Sequence, residues 1–123
     1  MIPSIISLLF GCSASALQEG GLYATRQDDG SYSILKILKI DPQGVHVRLY
    51  SNKFSTLPKN IDESKLYMAG IDRKPGETLG MGHAPISKQS FSSWKAQFIQ
   101  PSKVNPEELE GYNMWLEAKG GYF

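Results

Sequence analysis

The sequence predicts a mainly β domain with some helix (α+β): an antiparallel sheet, strongly bent or closed into a small barrel, covered by a C-terminal helix. Three observations carry this. Short apolar–polar alternations succeed one another from Leu22 to Tyr50. The breaks between them, Asp28-Asp29-Gly30 and Asp41-Pro42-Gln43-Gly44, have the chemistry of tight turns. The stretch from Asn105 to Gly120 carries both the start and the stop signals of a helix.

In chain order, Leu22 to Gln27 alternates Leu22 and Ala24 against Tyr23 and Thr25, then meets an Asp-Gly pair that tolerates positive φ. That reads as the first strand of a hairpin. Tyr32 to Ile40 places Tyr32, Ile34, Leu38 and Ile40 on one face, and Leu35 and Ile37 on the other. Apolar residues on both faces mark a central strand. At the next turn Pro42 supplies a φ of about −65° and Gly44 closes it. Val45 to Tyr50 follows, with Val45, Val47 and Leu49 inward and His46, Arg48 and Tyr50 outward. Three strands joined this way form a meander.

After Tyr50 the polar stretch through Lys65 reads as a long loop, Leu66 to Ile71 as a fourth strand, and Asp72 to Gly82 as a glycine-rich loop. Ser87 is placed to cap a short helical turn ending near Trp94, and Ala96 to Gln100 to form a last strand stopped by Pro101. The terminal helix is expected over residues 106–119. Asn105 is its N-cap, Pro106 its first residue, and Glu108 is spaced to bond back to the cap's N–H. Leu109, Tyr112, Trp115 and Leu116 share one stripe, and Gly120 is expected to supply the left-handed stop.

The chain has 123 residues, 13 Lys+Arg against 12 Asp+Glu, and a formal charge of +1. That length suits one domain, residues 20–123, and the near-neutral balance creates no global field of the kind a nucleic-acid binder uses. A single Cys excludes an internal disulfide and an all-cysteine zinc site. Two Trp, six Tyr and five Phe favour a packed core over disorder.

The first residues are unlike the rest. An apolar run, Ile5, Ile6, Leu8, Leu9 and Phe10, reaches Gly11-Cys12 and then turns small and polar. Leu9-Phe10-Gly11-Cys12 resembles the box of bacterial lipoprotein precursors. The resemblance implies that Cys12 is lipidated, that residues 1–19 are signal and tether, and that the protein is held at the cell envelope by acyl chains alone. The run is too short to span a bilayer, which takes about 20 residues. The residues alone also allow Ile5 to Phe10 to be a strand or helical turn with Cys12 buried. A start codon assigned elsewhere would make the protein cytoplasmic.

The segment "GLYATRQDDGSYSILKILKI" resembles the opening hairpin of Tudor and other SH3-like small barrels. An SH3-like barrel is the fold this implies. Tudor-like barrels use aromatic cages for methylated cations, which draws attention to Tyr23, Tyr32 and Tyr50, although core packing is the plainer use of these rings.

Candidate chemistry is sparse. Asp28-Asp29 and Glu107-Glu108 sit in a turn and a first helical turn, where carboxylates belong for structural reasons. His46 and His83 are 37 residues apart with no zinc-ligand spacing, and His46 is expected on a solvated strand face. His83 follows the glycines of Gly76–Gly82, which let backbone approach a ligand closely. That loop lacks the Gly-Lys-Ser/Thr ending of a phosphate cradle. Arg26, Lys36, Lys39, Arg48, Lys53 and Lys59 outnumber Asp28, Asp29 and Asp41, with Tyr32, Tyr50 and Phe54 interleaved, but Lys36 and Lys39 point to opposite faces. The reading is therefore a non-enzymatic binding module, a lipoprotein with a protein or glycan partner and no catalytic, metal or cofactor residues. Its contact surface is expected at Ser51–Lys59 and Gly76–His83, or at the exposed Gly120–Phe123 end. Tyr23, Tyr32, Tyr50, Phe54 and His83 are the candidate ligand residues. The alternative is a cytosolic barrel that binds nucleic acid, or a small enzyme using His83.

Overall fold

The computed structural model describes residues 17–123, so the Cys12 box and the apolar run before it lie outside the described residues. Five strands form one antiparallel sheet: β1 (Leu22–Arg26), β2 (Tyr32–Ile40), β3 (Gly44–Phe54), β4 (Met81–Ser87) and β5 (Gln97–Gln100). Their order is β4-β3-β2-β1-β5. The last strand thus returns beside the first, but β4 and β5 occupy opposite edges and do not pair, so the sheet is bent and open rather than a closed barrel.

The predicted meander is present. Gly30 takes φ +86°, which lets the first hairpin turn tightly, and Asp41 Oδ1 accepts from the Gln43 and Gly44 amides in the second. β3 runs on to Phe54, four residues past the expected end, because Tyr32 and Ser33 of β2 pair with Phe54 and Lys53. The Leu66–Ile71 segment is not a strand. It is held to β3 irregularly, Ser51 N–H donating to Tyr67 O and Ala69 N–H to Ser51 Oγ. The true fourth strand is Met81–Ser87, whose alternation is obscured by Gly82 and Pro85.

Helix α1 (Lys88–Trp94) is capped by Ser87, whose hydroxyl accepts from Ser90 N–H, and ends on Lys95 in the left-handed region. It covers one sheet face with Phe91, above Tyr23, Leu35, Ile37, Val45, Val47, Ala84 and Ile86. Leu22, Ala24, Ile34, Tyr50 and Ile61 form a smaller core on the opposite face, with Tyr32 and Phe54 packed against it. A central strand that carries apolar side chains on both pleats is what both layers require.

Near the C-terminus a 3₁₀ turn (Pro106–Leu109) leads into helix α2 (Glu110–Glu117). The single helix expected over 106–119 is therefore split and shorter. Glu108 Oε1 does accept from Asn105 N–H, at 2.8 Å. Of the predicted stripe, Tyr112 and Trp115 meet the sheet face while Leu116 is half exposed. The left-handed residue after α2 is Lys119, not Gly120. Gly120 is needed for another reason: a Cβ there would collide with the Trp115 ring, whose Nε1–H donates to Gly121 O. Nor is the Gly120–Phe123 end free. Phe123 N–H donates to Pro85 O and its carbonyl accepts from Ser87 N–H, which lays this residue along β4, although its side chain stays exposed. Among the described residues no helix is long and apolar enough to cross a membrane.

Candidate functional site

The expected outward face of β3 is buried. His46, Arg48 and Tyr50 project beneath the C-terminal segment and the 55–80 loop, and His46 is 0% exposed. The sequence offered no sign of this cover, because α2 and its tail are far along the chain.

Two polar clusters fill that face. In the first, Asp41 Oδ2 lies 2.9 Å from His46 Nε2 and accepts the Tyr122 hydroxyl. His46 Nδ1 lies 2.9 Å from His83 Nε2. The imidazole planes differ by only 9°, with centroids 5.1 Å apart, so the rings lie edge to edge, as an in-plane hydrogen bond demands. Tyr112 and Trp115 set their ring edges against His46. Gly111 permits this packing: a Cβ there would stand 2.7 Å from His83 Cβ. Burial, and then the neighbouring His46, lower the His83 pKa below its ordinary 6.5. For Asp41 burial opposes ionisation, but hydrogen bonds from Tyr122, His46 and the turn amides outweigh it and hold the carboxyl low. Burial, with the Asp41 carboxylate second, pushes the Tyr122 phenol well above its usual range.

In the second cluster Glu108 receives Lys36 Nζ at 3.2 Å and Arg48 NH1 at 3.2 Å. Lys36 Nζ also donates to Lys103 O. The side chains of Lys36 and Glu108 are 4% and 8% exposed. Tyr50 is buried beside them, and its phenol is pushed up to about 12, first by burial and then by Glu108. A cleft of about 400 Å³ opens here between Lys36, Arg48, Glu108 and the Glu63–Met68 segment, but its cations are already answered by carboxylates.

A different cleft lies on the α1 face. It measures about 440 Å³ and is bounded by Thr25, Arg26, Gln27, Ser33, Ile34, Leu35, Leu49, Tyr50, Thr78, Leu79, Ser93 and Trp94, so that Ile34 and the sequence candidate Tyr50 reach it from the other face. Thr25 and Ser33 are direct cross-strand partners, two residues along from Tyr23 and Leu35 and hence on the same face. Thr25 Oγ1 accepts from Gln27 Nε2, while Ser33 Oγ is enclosed and has no hydrogen-bond partner among the described residues. Leu35, Leu49 and the Trp94 indole provide apolar wall.

The sequence candidates are dispersed by this geometry. Tyr23 belongs to the α1-face core, where its hydroxyl accepts from Gln18 N–H, whereas Tyr32, Tyr50 and Phe54 belong to the other face. They do not surround one cation. The Ser51–Lys59 stretch borders a third cleft with Asn52, Lys53 and Phe54, and the Gly76–His83 loop contributes Thr78 and Leu79 to the Trp94 cleft. Of the cations noted in sequence, Lys36, Arg48 and Lys53 pair with carboxylates. No group of three or more His, Cys, Asp or Glu could hold a metal among the described residues. Sequence reading passed over Trp94, Asp41 and Tyr122. The Thr25–Ser33 pair was within reach, since a hairpin turning on Gly30 fixes that register.

No protein-family model matches the chain, and it matches neither a curated protein nor a solved structure.

Proposed function

We propose that this chain is a binding module that holds part of a glycan in the Trp94 cleft and is carried at the cell envelope by a lipid on Cys12. The observation that carries the binding role is the Ser33 hydroxyl. Enclosing such a group without a partner costs roughly 1–3 kcal/mol, a cost removed when the side chain turns toward the cleft and a ligand hydroxyl meets it. A sugar fits the rest of the lining: its apolar ring face suits the indole, and its hydroxyls suit Ser33, Thr25 and Gln27. The volume, about 440 Å³, falls within the roughly 300–1,000 Å³ of small-ligand sites. The envelope address rests on Leu9-Phe10-Gly11-Cys12 and the small polar residues after it.

Each of the two tryptophans gives one indole N–H signal in an NMR spectrum of the Cys12→Ser chain. Titration with cellobiose, chitobiose and glucuronate is expected to shift the Trp94 indole and the Ser33 amide while leaving Trp115 in place. If no saccharide moves Trp94, the glycan role fails. Expression from the native start in a Gram-negative host tests the address. A membrane-bound species beginning at a diacylated Cys12 is expected, and an unprocessed soluble chain removes the envelope role.

A further inference from the structure

His83 has a property that the binding role does not use. Asp41, as a carboxylate, only accepts, so His46 Nε2 carries the proton that bridges to it. His46 Nδ1 is therefore an acceptor, and the proton between the two rings belongs to His83 Nε2. This leaves the lone pair on His83 Nδ1. That atom has no hydrogen-bond partner among the described residues, and His83 as a whole is only half-buried.

We infer that His83 Nδ1 is a nucleophilic and proton-accepting centre that takes acyl groups from small activated esters, with His46 and Asp41 as its positioning residues. The lone pair of Nδ1 attacks the ester carbonyl carbon, the bond to the alkoxide or phenolate leaving group breaks, and the acyl group stays on Nδ1. Attack makes the ring cationic. His83 Nε2 then passes its proton along the existing hydrogen bond to His46 Nδ1, and the resulting imidazolium faces the Asp41 carboxylate. Water attacks the acyl carbon of the neutral N-acylimidazole, the C–N bond breaks to release the carboxylic acid, His46 returns its proton to His83 Nε2, and the second water proton passes through solvent to the alkoxide or phenolate released in the first step. His83 is largely unprotonated at neutral pH because burial and His46 hold its pKa below 6.5.

The test uses p-nitrophenyl acetate and, separately, diethyl pyrocarbonate, with mass mapping of the modified residue. Both reagents are expected to modify His83 and leave the enclosed His46 untouched, at a rate at least about tenfold that of N-acetylhistidine at the same pH. His83→Gln should abolish the nitrophenolate burst. Asp41→Asn, which favours the opposite His46 tautomer, should slow it by about tenfold or more and change its pH profile, with folding checked by circular dichroism. Tyr122→Phe keeps the Asp41–His46–His83 chain and should leave most of the burst. A His83 rate equal to N-acetylhistidine, modification falling on lysines instead, or an Asp41→Asn burst equal to that of the parent would each overturn the assignment.

Discussion

The two faces of the sheet are built on different physics. Under α1, Ile37, Val47, Ala84, Ile86 and Phe91 meet as apolar surfaces, and what matters is volume and shape. Under the C-terminal segment, Lys36, His46 and Glu108 are packed almost as deeply and Arg48 is partly covered, yet each is held by a named partner at 2.9–3.2 Å. Apolar packing is non-directional and tolerates rearrangement. Buried ionic and imidazole groups do not, because removal of one partner leaves the other desolvated and unanswered. The second face therefore fixes where the C-terminal segment sits, and the first supplies most of the driving force for the sheet to form.

The largest effect expected from this contrast is at Glu108. Glu108→Ala strands Lys36 and Arg48 and should cost about 4 kcal/mol by urea denaturation, while the double change Lys36→Met, Glu108→Leu should regain most of that. A loss no greater than an exposed ion pair gives would mean that the two faces do not differ. On the apolar face Ile37→Ala should cost about 3 kcal/mol, and Ile37→Val about 1, a graded response to volume. A smaller effect comes from His83. Its folded pKa is depressed, so the unfolded chain binds the proton more readily; the stability it contributes is complete above pH 6.5 and is lost as pH falls below that value through the lower folded pKa. The urea midpoint should therefore decline between about pH 7 and pH 5, and His83→Gln should flatten that decline. Asp41, also held low, acts in the same sense nearer pH 3.8. The smallest change is Ser33→Ala, which removes an unanswered hydroxyl and should leave stability unchanged or raise it by up to about 1 kcal/mol. Appreciable destabilisation there would show the hydroxyl to be satisfied and weaken the cleft's claim on a ligand.

The sheet was legible where local pattern and turn chemistry agreed. Gly30 and the Asp41-to-Gly44 turn set the register of three strands, and Ser87 announced α1. β4 was missed because Gly80, Gly82 and Pro85 dilute its β character, and Leu66–Ile71 was misread because five apolar residues out of six look like a strand whether or not a partner edge exists. The candidate sites were less legible still. Alternation along β3 correctly separated His46 from Val45 and Val47, but a strand pattern records which side chains share a face and not what later covers that face. The meeting of Asp41, His46, His83 and Tyr122 spans residues 41 to 122, and only tertiary structure brings such separations together.

The two backbone bonds that Phe123 makes with β4 have a consequence for colloidal behaviour. An unpaired strand at the margin of an open sheet is a template on which a second molecule can add its own strand, and β4, with Ala84 to Ile86 apolar, is poorly defended by charge. Phe123 occupies two of those groups, Pro85 O and Ser87 N–H, which hinders strand addition at that end of β4, while β5 forms the other edge of the sheet. The Phe123 contacts are thus a partial guard of that edge as well as an anchor for the fold.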